Sequence, residues 1–197
     1  DRIVRSRPGF CADMGLGIID RRIRTLALQR VSLSAAREGE AALISVSDWI
    51  IPLQECTQPN LCGGKALRLG QIARDGYTTP PGHVLLEPLR QLHLKRCGLL
   101  PAIEEMEQLL PTANPNELIR RGAAIRAKLV QNALDSDLQN ALEDLYIKYW
   151  QGKTLVVRSS AHGEDSINHS FAGQLDSFLG IRTLADLDTA IRDTWAS

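Results

Sequence analysis

The chain has 197 residues, with 44% hydrophobic and 23% charged side chains and equal numbers of acidic and basic groups. That length suits one medium domain or a domain with an appendage, and zero net charge gives no global argument for a nucleic-acid or membrane partner. No apolar run approaches the ~20 residues of a membrane span.

The N-terminus, Asp1-Arg2-Ile3-Val4-Arg5, has no apolar stretch behind it and no initiator Met. It reads as a site where a longer chain was cut, not as a signal peptide. The cysteines, Cys11, Cys56, Cys62 and Cys97, fit neither a zinc pattern nor a CxxC motif. They are expected to be free thiols in a reducing cytoplasm.

Residues 1–52 form a first region. Eight arginines face three acids up to Arg37. Alternation through Leu26, Leu28, Val31 and Leu33, and again over Ala41–Val46, predicts short strands. The arginines read as a solvated strand face, and the region as a separate β-rich piece or the tail of an upstream domain.

From Leu53 onward the signals sharpen. A helix is predicted over Lys65–Asp75, with Leu69, Ile72 and Ala73 on one face and Gly76 as a left-handed cap. Pro80-Pro81-Gly82 marks a turn and His83–Leu86 a strand. Pro88 starts a helix that stops before Gly98. Pro101 opens another, with Ile103, Met106 and Leu110 on a face. Asn114-Pro115 caps and starts the next, with Leu118, Ile125 and Leu129 inward. Ser136 is placed as the cap of a third, whose stripe is Leu138, Ala141, Leu142, Leu145 and Tyr149.

After Gly152, Thr154–Val157 reads as a buried strand. A long polar loop over 159–174 and a return strand over Asp176–Leu179 follow. Thr183 and Asp186 make a capping box for a helix with Leu184, Leu187, Ile191 and Trp195 on one face. That helix meets the end of the chain with no stop signal, another sign of truncation. The fold class is α/β: a small mixed sheet from strands near 83–86, 154–158 and 176–180, with a helical stretch over about 100–150.

Two segments carry chemistry. Gly63-Gly64-Lys65 stands at a helix start, where glycines admit close backbone approach and the helix end favours anions. Lys65 adds a mobile positive charge. It is not a Walker A loop, because Pro59 and Ala66 stand where that motif needs Gly and Ser or Thr. In the second segment, Arg158 ends a strand and offers a planar donor fork to a cleft. The loop Ser170-Phe171-Ala172-Gly173-Gln174 offers backbone N–H groups to a phosphate chain. Glu164 and Asp165, adjacent on an extended stretch, point apart and read as structural.

These two segments resemble a known family. Val157–Ala161, then Glu164-Asp165, then Ser170–Gln174 and Asp176 are similar to one signature of the phosphoenolpyruvate synthase and pyruvate phosphate dikinase family. Gly63-Gly64-Lys65-Ala66, Leu69-Gly70, Gly76 and Pro80-Pro81-Gly82 are similar to its opening. The resemblance covers residues 53–197. It implies the front part of an ATP-grasp nucleotide-binding domain that uses ATP with Mg²⁺. The phosphoryl group would pass through a carrier histidine on another domain to pyruvate or, in relatives, to an antibiotic or a glucan.

Carried over by motif, Lys65 and Arg158 would contact the phosphates, with Arg158 holding them through transfer. Gly173 and Gln174 would lie in the covering loop. Ser177 would stand in for the family's Thr. The metal ligands and adenine contacts would come from beyond Ser197, leaving this piece able to bind ATP weakly and unable to turn it over. His83, where the family has Phe, and Gly163, where it has a small residue such as Ala, are departures. They keep open a non-catalytic nucleotide-sensing or scaffold module as the alternative. His162 and His169 lack the carrier's Thr-Ser-His context and read as loop histidines.

Overall fold

A computed structural model describes residues 45–160 and 176–197, and the backbone of 165–166 and 169–170. The expected strands before residue 45 lie outside the described residues. Val46–Trp49 forms a 3-10 turn closed by Ser45 and Asp48. β1 follows (Ile50–Pro52), then a second 3-10 turn (Leu53–Glu55), α1 (Pro59–Cys62), α2 (Gly64–Arg74) and β2 (His83–Leu85). Next come α3 (Glu87–Arg96), α4 (Leu100–Leu109), α5 (Pro115–Gln131) and α6 (Ser136–Leu145), which ends in a π turn over Tyr146–Trp150. β3 (Leu155–Arg158), β4 (Asp165–Ser166), β5 (His169–Ser170), β6 (Ser177–Ile181) and α7 (Leu184–Ala196) complete the chain.

The α/β class holds. The single mixed sheet does not: among the described residues the strands form three separate antiparallel pairs, β1–β2, β3–β6 and β4–β5. The partner of β2 is β1, with Ile50 opposite Leu85 and Pro52 opposite His83. Residues 45–52 therefore fold with the segment that follows them. The helices α3 to α6 lie in the chain between β2 and β3; α3 and α6 turn apolar residues toward the strands, while α5 packs with α3 and α7.

Those stripes build the core. Leu138 and Leu142 of α6 meet Leu187, Ala190 and Ile191 of α7, with Ile50, Leu89 and Ile181 closing the cluster. Each buried Leu or Ile contributes about 1.5–3 kcal/mol relative to exposure. Leu94, Leu99, Leu129 and Ala196 make a second cluster. Residues before 53 contribute too, since Val46 and Trp49 pack on the first cluster.

Three local expectations change. The cap of α6 is Asp135, whose carboxylate accepts the Leu138 N–H at 3.2 Å, so Ser136 is the first helical residue. On α2 the buried positions are Ala66 and Gly70, while Ile72 is 42% exposed. Gly70 is selected by lack of space, since a Cβ there would lie 2.4 Å from the Leu53 carbonyl oxygen. On α4, Leu110 lies just beyond the helix and is exposed.

β3 is half-buried, not buried. Leu155 and Val157 face the core, while Val156 and its cross-strand partner Leu179 are 57% and 74% exposed. One face of an antiparallel pair is enough to pack α7, which leaves the other open. The register shifts between Leu155 and Val156, and the extra residue opposite is Gly180 at φ +77°, a conformation glycine adopts without Cβ strain.

Candidate functional site

The start of α2 lacks a side chain at its cap. Gly63 occupies that position with φ +74° and ψ 168°, and its N–H closes α1 on the Pro59 carbonyl at 2.9 Å. A helix start leaves four N–H groups without intrahelical partners. Here the missing cap is supplied from 94 residues away: the Ser160 hydroxyl accepts the Ala66 N–H at 2.9 Å. Ala66 is the third helical residue, the usual target of an N-cap oxygen.

The two backbones also touch. A Cβ on Gly63 would fall 1.4 Å from the Ser160 carbonyl oxygen and 2.6 Å from its Oγ. Only a residue without a Cβ permits that approach. The two motifs of the sequence thus meet at one junction, with Gly63-Gly64-Lys65 on one side and Arg158-Ser159-Ser160 on the other. Beside it, Ser159 Oγ is buried with no hydrogen-bond partner among the described residues. A buried hydroxyl without a partner is uncommon in native folds and marks a place where another polar group fits.

Lys65 is half-buried in the first turn of α2. Arg158 is exposed at the end of β3 and pairs in register with Ser177 on β6. Directly opposed residues on antiparallel strands share a face, so Arg158 and Ser177 rise together on the open side of the hairpin. Gly173 and Gln174 lie outside the described residues. The junction thus has a helix N-terminus, a lysine, and an arginine two residues from the contact point, an array suited to anionic oxygens.

Sequence reasoning found the motifs and missed the tether. Ser160 was visible only as a polar residue after Arg158. Its capping role becomes readable once a helix is seen to begin at Gly-Gly with no Ser, Thr, Asp or Asn of its own.

No group of three or more His, Cys, Asp or Glu side chains that could hold a metal ion occurs among the described residues. A shallow concavity between α5, β6 and α7, lined by Arg126, Val130, Asp176, Phe178 and Asp193, is separate from the junction. No described helix is long and apolar enough to cross a membrane.

The junction coincides with a family match. Residues 59–197 match the family described as pyruvate phosphate dikinase, AMP/ATP-binding domain. The chain is 34% identical over 142 residues to a probable phosphoenolpyruvate synthase of Methanothermobacter thermautotrophicus, covering 70% of this chain and 21% of that protein. It is 28% identical over 144 residues to the rifampicin phosphotransferase of Bacillus subtilis, covering 73% and 17%. It is also 28% identical over 142 residues to the prodigiosin synthesizing transferase PigC of Serratia marcescens, covering 71% and 14%. The chain thus spans about a fifth or less of the length of these relatives.

Proposed function

The chain belongs to the pyruvate phosphate dikinase AMP/ATP-binding domain family, and from that premise we propose that the Gly63–Ser160 junction seats the phosphates of ATP in a dikinase-type phosphotransferase. The observation that carries this reading is the tether itself. Two segments with phosphate-binding chemistry, 94 residues apart, are held together by a backbone contact and a cap bond.

In this reading the first turn of α2 and Lys65 take phosphate oxygens from one side. Arg158 takes them from the other, with Ser177 beside it, and Gly173 and Gln174 cover them. The described body is then part of an ATP-grasp fold, and Mg²⁺ accompanies the nucleotide on ligands outside the described residues. Phosphoryl transfer depends on positioning and charge neutralisation, which is what a rigid junction with two cations supplies. The acceptor, whether pyruvate, an antibiotic or a glucan, belongs to parts of a longer protein, as does the carrier histidine. By itself this chain binds ATP weakly, because a half-open site leaves the phosphate contacts screened by water and salt.

Titration of Mg-ATP into the chain by isothermal calorimetry tests the placement. Lys65→Ala and Arg158→Ala are each expected to weaken binding by about 1.5–3 kcal/mol, the loss of one hydrogen bond to a charged group. Binding that both variants leave unchanged would place the nucleotide elsewhere. A measured turnover by this chain alone would overturn its inactivity.

A further inference from the structure

Helix α2 carries the first turn of the proposed phosphate site, yet it buries little to hold itself in place. Its buried residues are Ala66 and Gly70, with one methyl group between them. Leu67 and Leu69 are half-buried, and Arg68, Gln71 and Ile72 are exposed. The apolar burial that fixes α6 and α7 is therefore scarce here, and with it the non-directional force that holds a helix to a core.

Polar and close backbone contacts pin the helix instead. At the first turn, the Ala66 N–H is held by Ser160. At the middle, a Cβ on Gly70 would lie 2.4 Å from the Leu53 carbonyl oxygen, so the bare backbone rests on the Leu53–Glu55 turn. At the end, Arg74 Nη1 donates to two carbonyls of the same segment, Gln54 at 2.8 Å and Cys56 at 2.7 Å.

A basic residue in the last turn of a helix ordinarily serves the carbonyls of that helix. Arg74 serves another segment. The Cβ absent from Gly70 would lie 3.3 Å from Arg74 Nη1, so the guanidinium reaches the turn across glycine backbone. The turn is itself fixed. The Leu53 N–H bonds the Gly82 carbonyl at 2.9 Å, and Pro52 stands opposite His83 in the β1–β2 pair. Arg74 thus fastens the far end of α2 to β1 and β2, while Ser160 fastens the near end to β3.

Given the function proposed above, on which this rests, we propose that Arg74 is a positioning residue for nucleotide binding. It fixes the axis of α2 so that the first turn and Lys65 stay seated at the Gly63–Ser160 junction. At about 1.5 Å of rise per residue, Arg74 stands roughly 13 Å along the axis from Lys65. That exceeds the ~8 Å over which exposed charges act at physiological ionic strength, so Arg74 works through the position of the helix and not through its charge. The carbonyls it holds, at Gln54 and Cys56, precede the family match, which begins at residue 59. The segment upstream of the match is then part of the nucleotide-binding apparatus.

The experiment compares the chain with Arg74→Met, which removes the donors, and Arg74→Lys. Because one nitrogen makes both bonds, an ammonium can replace it. Amide exchange at Ala66 is expected to be about fivefold faster in Arg74→Met, the effect of losing one side-chain hydrogen bond, with Leu138 in α6 unchanged. Mg-ATP titration is expected to show about fivefold weaker binding, by the same factor at low and at high salt, since no screened charge is involved. Arg74→Lys should restore both. Unchanged exchange at Ala66, equal acceleration at Leu138, a loosened Ala66 with unaltered affinity, a loss of affinity that vanishes at high salt, or no recovery with Lys would each overturn the inference. If the parent chain binds no Mg-ATP, the nucleotide reading fails, while exchange at Ala66 and its recovery with Lys still decide whether Arg74 seats the turn.

Discussion

The helices α3 to α6 and the junction at Gly63 are assembled under different rules. In the helical stretch each boundary is written within a few residues of itself. Pro88 and Pro101 sit in first turns, the Asn114 side chain accepts the Asn116 N–H, and Asp135 caps α6. At the junction the helix begins on a glycine and borrows its cap from Ser160. Local rules give helices that form wherever their sequence is placed. A borrowed cap forms only if the whole intervening chain has folded, so it ties the seating of the proposed phosphate turn to global folding.

The sharpest way to break the contrast is Gly63→Ala. The added methyl meets the Ser160 carbonyl oxygen at 1.4 Å, and φ +74° strains any side chain. Strain of this kind costs about 1–3 kcal/mol, and overpacking adds a similar amount. A loss of about 3 kcal/mol or more is expected in urea unfolding, with Lys65 and Ala66 displaced from the junction. A variant as stable as the parent would mean that Ser160 swings away freely and that no tether exists.

Ser160→Ala removes the cap oxygen and keeps the backbone contact. About 1 kcal/mol is expected, with faster exchange at Ala66 and no change at Leu138, whose N–H bonds Asp135. Asn114→Ala makes the local counterpart, at about 0.5–1 kcal/mol. Its effect should stay within the first turn of α5 and leave Ala66 protected. If Asn114→Ala loosened Ala66 as much as Ser160→Ala does, the distinction between local and borrowed caps would collapse.

The same distinction explains what could be read from sequence. Helices α3 to α7 were legible because proline starts, cap residues and 3.6-residue stripes are local. Gly76 as a left-handed cap followed from the same logic and is present; of the capping box at Thr183 and Asp186, the bond from the Asp186 N–H to the Thr183 hydroxyl is the half observed. Strand pairing was not legible. β2 pairs with β1 across 30 residues of loop and helix, and nothing in His83-Val84-Leu85 distinguishes Ile50–Pro52 from Leu155–Arg158 as its partner. The open face of β3 was missed because Thr154–Val157 lacks polar alternation, although Val156 points to solvent. Of the candidate site, the placement of Lys65 at a helix start and of Arg158 at a strand end was readable from residue type and position. The contact that joins their segments was not, because it is made by a glycine backbone and a serine hydroxyl.

The smallest effect is nil at neutral pH and appears on acidification. His93, 1% exposed, packs on Trp195 with ring centroids 5.5 Å apart and lies 3.6 Å from Cys97 Sγ. Burial holds its pKa below the ordinary 6.5, and the charges around it, Asp135, Arg192, Asp188 and Arg96, oppose one another. His83, half-buried against Tyr149 and Trp150, is lowered by burial and by Lys148. A base with a depressed folded pKa binds its proton more readily in the unfolded chain, so stability falls as pH drops through about 6.5 toward the folded values. Asp135 does not share that window. Burial opposes its ionisation, but Arg96 and the Leu138 N–H outweigh it and hold the carboxyl below its ordinary 3.8. The urea midpoint should therefore decline between pH 7.5 and 5.5, and His93→Gln should flatten that decline in proportion to its share. A midpoint constant across the window would mean that both imidazoles charge as readily inside the fold as in the unfolded chain.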